Sequence, residues 1–390
     1  MLINGERALA YTVTIDSITP IEGADNIELA HVGGWCVIIR KQEYKPGDMA
    51  VFCEIDSKLP EKEWSEFLRP KKFKVKTMKL GKFGVISQGL LLPMSVLPEG
   101  NYDVHIDVTK TLGITYYVAK DNVRKAKINP NAKYNNMAAR NKKLAEKRWW
   151  KWLMKRLWGR KLLFAFFGNK NDNPKKFPEW IKKTDEDRIE NVMWMFDNKE
   201  PFVIAEKIDG TSATFFLDYS KSKRNPEFGV CSRNVRQVDM NQDTYHDCDN
   251  AYWEMAFKYS IEDALKSIAK EYSMDRVVLQ GEIYGESIQG NPYKLKGREL
   301  AAFNLVFNGE RLGSLKAKDI LDKYDIPFVP IIDENYILPD REDFEEFKES
   351  ADGMSTINKQ TRREGFVYRS LDGKQSFKSV SRKFLLKKKD

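Results

Sequence analysis

The sequence predicts an α+β protein in two parts: a β-rich N-terminal unit, then a larger unit in which helices flank antiparallel sheet. Three observations predict it. Up to about Val108, short β-prone runs recur between turn signals. Beyond Phe177, strand-length apolar runs alternate with stretches of helical spacing. The segment between them is dominated by basic residues and has neither pattern in full. At 390 residues the chain exceeds one typical domain, which agrees with two packed units. The expected division is 1–110, a connector at 111–176, and 177–390.

In the first unit the runs are Ala10 to Ile18, Ile27 to His31, Trp35 to Ile39, Met49 to Ile55 and Gly89 to Leu92. Pro46-Gly47-Asp48 supplies a turn between two of them. Such spacing argues for a small all-β barrel or sandwich. The stretch Ile21-Glu22-Gly23-Ala24-Asp25-Asn26-Ile27-Glu28-Leu29-Ala30, followed by Tyr44-Lys45-Pro46-Gly47-Asp48, resembles the OB folds of tRNA-binding modules. That resemblance implies an OB-like β-barrel.

The connector concentrates the charge. Between Val118 and Lys176 stand 18 Lys and Arg against three acids (Asp121, Glu146, Asp172), a local net of +15; the chain totals +9, so the remainder nets −6. Met137 to Phe167 has helix-forming composition without proline. Its Trp149, Trp150, Trp152, Leu153, Leu157 and Trp158 alternate with Lys151, Lys155 and Arg156. The plain expectation is a helix with a buried aromatic stripe and solvated charges. RNA contact and, more weakly, a lipid surface are the functional alternatives. Asn171-Asp172-Asn173-Pro174 reads as a loop.

In the second unit, strands are expected at Phe202 to Ile208, Ser212 to Leu217, Gly229 to Arg233, Arg276 to Tyr284, Gly365 to Arg369 and Ser376 to Val380. Tyr252, Met255, Ala256, Tyr259, Ala264, Leu265 and Ile268 recur at helical spacing and predict a helix over Ala251 to Tyr272. Shorter helices are expected at Ala317 to Tyr324 and Asp343 to Ala351.

Composition narrows the chemistry. There is no apolar run of about 18 residues and no secretory leader pattern, so a cytosolic protein, monomeric and without a membrane span, is expected. Cys36, Cys53, Cys231 and Cys248 form no C-x-x-C pair, and His31, His105 and His246 give no metal-site spacing. Catalysis must therefore rest on lysine and carboxylates. A pI near 9.0 favours a polyanionic partner.

Lys207 closes an apolar run and is followed by Asp209-Gly210, which reads as a tight turn placing the lysine at the mouth of a hairpin. Alone, K-x-D-G fits any exposed hairpin lysine. Further along come Ser232-Arg233-Asn234, Gly281-Glu282-Ile283-Tyr284-Gly285, Ala302-Phe303-Asn304, Glu364-Gly365-Phe366-Val367 and Ser376-Phe377-Lys378. In order and spacing, these motifs resemble the covalent nucleotidyltransferase superfamily of ATP-dependent ligases and mRNA capping enzymes. The resemblance covers about Lys183 to Leu386 and implies an antiparallel-sheet nucleotidyltransferase domain.

It also implies roles. Lys207 would carry AMP, Lys378 would contact the α-phosphate, Arg233 the ribose or phosphate side, Phe303 would stack on adenine, and Glu206 would touch the nucleotide. A lysine amine attacks phosphorus only when neutral, whereas its ordinary pKa is about 10.4, so a cation must help. Asp209, Glu282 and Glu364 supply carboxylates for Mg²⁺, or Mn²⁺ in its place, through the ion's waters. Many family members carry a second lysine where this chain has Val380; Lys383 or the tail Lys387 to Lys389 would substitute. Lys183 to Arg188 resembles the start of ligase catalytic domains, but Thr184 and Asp187 also approximate a helix-capping box.

Capping enzymes and DNA ligases place an OB domain after the last lysine motif, whereas only 12 residues follow Lys378 here. An OB-like segment in front resembles RNA ligases of the Naegleria type. That implies ATP as the source of AMP and RNA with 3′-OH and 5′-phosphate ends as partner. The N-terminal unit would hold the pyrophosphate end of ATP or its metal, or grip RNA. A capping-type guanylyltransferase using GTP and a non-catalytic RNA-binding module are the rival readings.

Overall fold

The computed structural model describes residues 1–3, 6–117, 133–134, 137–138, 141–168, 175–237, 239–240 and 250–387. The expectations for Asp121, Asn171 to Pro174, His246, Cys248, Lys388 and Lys389 lie outside them. Strands β1 (Ala10–Thr14), β2 (Ser17–Pro20), β3 (Ile27–Val32), β4 (Trp35–Arg40), β5 (Met49–Cys53) and β6 (Leu90–Pro93) build the N-terminal unit. They form two three-stranded antiparallel sheets in the orders β6-β5-β1 and β2-β3-β4. The run expected from Ala10 to Ile18 breaks at Ile15-Asp16 and feeds both sheets.

Tyr11, Trp35, Val37, Ile39 and Phe52 share one core, while Ala10, Val51, Cys53 and Leu92 enter a second beneath the opposite face. Because β5 is buried on both faces, its sequence is apolar without alternation.

From Lys175 on the chain forms two sheets. One has seven strands in the order Lys175–Lys176, Val235–Arg236, β10 (Glu227–Ser232), β9 (Thr211–Asp218), β11 (Arg276–Gly285), β12 (Arg298–Phe307) and Glu310–Arg311. The other has five, β7-β15-β14-β8-β13, where β7 is Asp187–Arg188, β8 Pro201–Lys207, β13 Ile331–Ile337, β14 Gly365–Ser370 and β15 Ser376–Val380. Pairing is antiparallel except between β7 and β15.

The basic segment contributes α1 (Arg148–Met154) and α2 (Leu157–Phe167). Helices α3 (Ala251–Lys258), α4 (Ile261–Glu271) and α5 (Ser314–Asp322) pack on one face of the large sheet through residues such as Leu217, Leu265, Ile268, Leu279 and Ile320. Helix α6 (Phe344–Ser350) covers the small sheet with Phe344 and Phe347 against Phe202, Tyr368 and Phe377. A third, smaller cluster holds Ala205 and Ile208 from the small-sheet side and Ala301 and Phe303 from β12 of the large sheet.

Two helical expectations change. Ala251 to Tyr272 is two helices, because Ser260 takes a left-handed φ of 45° and turns the chain. Met137 to Phe167 is likewise interrupted, with Arg156 extended between α1 and α2. Trp150 and Leu163 bury around Met137, but Trp149, Trp152 and Trp158 face outward, so the aromatic stripe is not the buried face that periodicity suggested.

A buried polar knot joins the two units. Glu54, after β5, accepts from Arg7 (3.2 Å), Tyr11 Oη (3.2 Å) and Asn191 Nδ2 (2.8 Å), and also meets the terminal amine of Met1. Asn191 Oδ1 in turn accepts from Trp35 Nε1 at 2.7 Å. Burial pushes the Glu54 carboxyl up, but the amine and Arg7 outweigh it and hold it at about 2, below the ordinary 4.5. A depressed carboxylate contributes stability above its unfolded pKa and loses it as pH falls toward the folded one, here between 4.5 and about 2. Glu54→Gln is expected to lower the urea midpoint at pH 7 and to flatten the acid loss of stability seen in the unsubstituted chain; equal midpoints at pH 7 would contradict this.

Candidate active site

Alternation along β8 sends Phe202 and Ile204 into the core under α6 and puts Lys207 on the same side as Ala205. Lys207 pairs with Gly365 on β14, which pairs with Val380 on β15. Gly365 has φ 150°, and a Cβ there would stand 2.2 Å from the Ser379 carbonyl oxygen. Only glycine lets β14 begin so close to β15, and this sets Glu364 beside the lysine: its Oε2 is 2.9 Å from Lys207 Nζ.

The hairpin expected after Lys207 is not formed. Strand β8 belongs to the five-stranded sheet and β9 to the seven-stranded one, so Asp209-Gly210 is a crossing between sheets. A Cβ on Gly210 would lie 2.4 Å from the Ile283 carbonyl oxygen and 2.9 Å from Glu282 Cγ. The glycine therefore marks close passage of the chain over β11, which K-x-D-G alone cannot distinguish from a turn. The passage brings Glu282 toward Lys207. The Asp209 N–H donates to Tyr293 Oη at 2.8 Å.

Burial lowers the Lys207 pKa, but Glu364, then Glu282 and Asp209, outweigh it and raise the amine above its ordinary value. Glu282 is pushed up to about 8 by burial and by the Glu364 and Asp209 charges, against Lys207 and Arg233. Three acids around one amine leave a negative excess that suits a hard divalent cation. Among the described residues no three such groups converge closely enough to ligate an ion directly.

Lys378, on β15, is buried and donates to Asp185 Oδ1 at 3.0 Å; Arg233 reaches Asp185 Oδ2 at the same distance. Burial raises the Asp185 carboxyl, but Lys378 and Arg233 outweigh it and hold it at about 2. Burial, with Arg7, Arg188 and Lys207 nearby, lowers the Lys378 ammonium against the pull of Asp185. No helix starts at Thr184, which corrects the capping-box alternative. Lys182 to Glu186 is irregular and leads into β7. Its acids serve tertiary partners instead, with Glu186 taken by Arg311, Arg369 and the Ser376 hydroxyl.

Glu206 is buried; its Oε2 accepts from the Thr356 N–H at 2.8 Å and from the Thr356 hydroxyl, while Oε1 has no hydrogen-bond partner among the described residues. Phe303 is half-buried beside Ala205, Ile208 and Ala301, with the Arg369 guanidinium 5.6 Å from its ring centre. Val380 is buried and brings no charge. Lys383, one candidate for the second lysine, places its Nζ 3.4 Å from Asp352 on a side chain that is mostly exposed. The structure thus brings Lys207, Asp209, Glu282 and Glu364 together, and links Lys378 to Arg233 through Asp185. Asp185, Tyr293 and Arg369 were not among the expected site residues. Only Asp185 had a signal, in the acidic run before β7.

Comparison with known proteins agrees with this architecture. An OB-fold domain family matches residues 9–94, and the RNA ligase family matches residues 200–389. A mutant form of Naegleria gruberi RNA ligase with ATP and Mn superposes with a TM-score of 0.76 at 29% identity, covering 98% of this chain and 100% of that one. The same ligase with PPi gives 0.75 at 29% identity over 98% and 99%. An apo mutant is 30% identical over 97% and 98%, with a TM-score of 0.73. No curated protein sequence matches the chain. With an RNA ligase match over its C-terminal half, an OB-fold unit in front and the same architecture as a 30% identical RNA ligase, the chain belongs to the RNA ligase family.

Proposed function

We propose that this RNA ligase uses ATP to join RNA 3′-OH and 5′-phosphate ends, through AMP carried on Lys207. The observation that carries the proposal is Lys207 Nζ set among Glu364, Glu282 and Asp209 with Lys378 close by. ATP and a divalent metal occur in the Naegleria structures, and the residues here fit both. A cation held through water by Asp209, Glu282 and Glu364 would neutralise phosphate charge and favour the uncharged amine.

In the proposed chemistry the Lys207 ammonium loses its proton, with the Glu364 carboxylate at hydrogen-bond distance to take it. The freed lone pair attacks the α-phosphorus of ATP; an N–P bond forms, and the bond to pyrophosphate breaks with its electrons leaving on oxygen. Lys378 stabilises the charge on the α-phosphate, exchanging Asp185 for phosphate oxygen. AMP then passes to the RNA 5′-phosphate, and the 3′-OH displaces it to close the strand. Arg233 steadies the ribose or phosphate side, and Phe303 offers its face to the base. Glu206 Oε1 is an acceptor suited to the amino group of adenine and unsuited to the carbonyl that guanine carries there.

The same reading takes 1–110 as the OB unit, 111–176 as the basic connector and 177–390 as the catalytic unit. A monomer in the cytosol belongs to the same reading; for the location, among the described residues Cys36, Cys53 and Cys231 are free thiols, and no helix is long and apolar enough to cross a membrane. Incubation with ATP or GTP labelled at the α-phosphate tests the nucleotide. Label on the protein from ATP that survives alkali and is released by acid is expected; label from GTP alone would overturn the proposal.

A further inference from the structure

The inward face of the basic helical segment is explained by its own small core, but its outward face is not. Trp150 and Leu163 are buried with Met137, which fixes α1 against α2. That packing leaves Trp149, Trp152, Trp158 and Phe166 46%, 50%, 55% and 75% exposed, an unusual load of bare aromatic surface. Trp152 and Trp158 stand edge to face with ring centres 5.8 Å apart, and the Arg156 guanidinium lies 3.8 Å above Trp152. Lys147, Arg148, Lys151, Lys155, Arg156 and Lys161 are also exposed around these rings, and Glu146 is the one acid between 141 and 168.

We infer that this face binds single-stranded RNA flanking the ends to be joined, an inference that rests on the RNA ligase reading above. Charge complementarity decides for RNA. The chain outside Val118 to Lys176 nets −6, so long-range attraction for a polyanion has to come from this segment. The side chains are also of the right kind. Four of the six large apolar side chains exposed on α1 and α2 are aromatic, the others being Leu157 and Leu162. Every nucleobase has a face that can stack on such rings, while interleaved lysines and arginines follow the phosphates. Such a grip is indifferent to sequence and would lower the RNA concentration needed for sealing without touching nucleotide chemistry at Lys207.

The test uses the full chain and two triple variants, Trp149→Ala/Trp152→Ala/Trp158→Ala and Lys151→Gln/Lys155→Gln/Arg156→Gln. Binding of a fluorescent 5′-phosphorylated single-stranded oligoribonucleotide is followed by anisotropy across salt concentrations. The tryptophan variant is expected to bind at least tenfold more weakly with an unchanged salt slope. The charge variant should bind more weakly and lose about 2 from the slope of log affinity against log salt. Both should form the lysyl-AMP adduct at the original rate, which also shows that they fold, and both should raise KM for RNA more than they lower kcat. Unchanged RNA affinity in both folded variants would overturn the inference. So would binding to phosphatidylserine vesicles, or self-association, that the tryptophan variant loses while its RNA affinity stays intact. If the original chain forms no AMP adduct, the ligase reading fails by itself, and anisotropy still decides whether this face holds RNA.

Discussion

Lys207→Ala is expected to abolish ATP-dependent sealing of nicked RNA while leaving the joining of RNA that already carries AMP on its 5′-phosphate within reach of the original rate. The argument is local. Lys207 Nζ pairs with Glu364 and lies in the field of Glu282 and Asp209, and no neighbouring side chain in β8 offers a substitute nucleophile. Loss of a covalent nucleophile costs roughly 10⁴-fold or more in rate. Fold stability should fall, because the substitution leaves the carboxylates of Glu364, Glu282 and Asp209 without the amine. Loss of both activities together would mean that the substitution disturbed the site more widely than the covalent step. Retention of ATP-dependent sealing would remove Lys207 from the mechanism.

The second large effect is expected at Glu364. Its carboxylate is the ion-pair partner of the Lys207 amine and one of three acids assigned to the cation, so Glu364→Ala removes a proton acceptor and a metal anchor together. A drop of about 10²–10³-fold in the rate of adduct formation is expected, with a higher Mg²⁺ requirement. Glu282→Ala should share the shifted Mg²⁺ requirement, because Glu282 has no ion pair to Lys207 at comparable range but sits in the same negative field. A Mg²⁺ titration of lysyl-AMP formation in both variants checks this. Full rates at the original Mg²⁺ concentration in both would contradict the metal assignment.

Much of this site was legible because nucleotide chemistry needs particular groups in a particular order. The strands carrying Lys207, Glu282 and Lys378 also had clear apolar patterns, and most of their limits fell within a residue or two of the observed ones. What stayed hidden was tertiary. Asp209-Gly210 has the composition of a hairpin turn, and only the packing of Gly210 on Ile283 shows that it carries the chain to another sheet. Strands β12 and β13 escaped the periodicity reading for opposite reasons. β12 is packed on both faces, through Leu300, Ala302 and Leu305 on one side and Ala301 and Phe303 on the other. β13 is largely exposed, so its sequence, Ile-Ile-Asp-Glu-Asn-Tyr-Ile, lacks a clear apolar face. Asp185 could be seen as part of an acidic run, but its partners Lys378 and Arg233 lie far away in sequence, and composition cannot pair them. The exposed tryptophans follow the same logic. Helical spacing shows that a stripe exists, and only the surrounding packing shows which rings the small core can hold.

Peptide mass spectrometry of the protein after incubation with ATP and Mg²⁺ tests the central claim most directly. The account predicts AMP joined through an acid-labile, alkali-stable phosphoramidate to Lys207, in the peptide containing Glu206-Lys207-Ile208-Asp209-Gly210, and its discharge when 5′-phosphorylated RNA is added. AMP attached to a different residue, or no covalent AMP on a protein that still seals RNA with ATP, would contradict it.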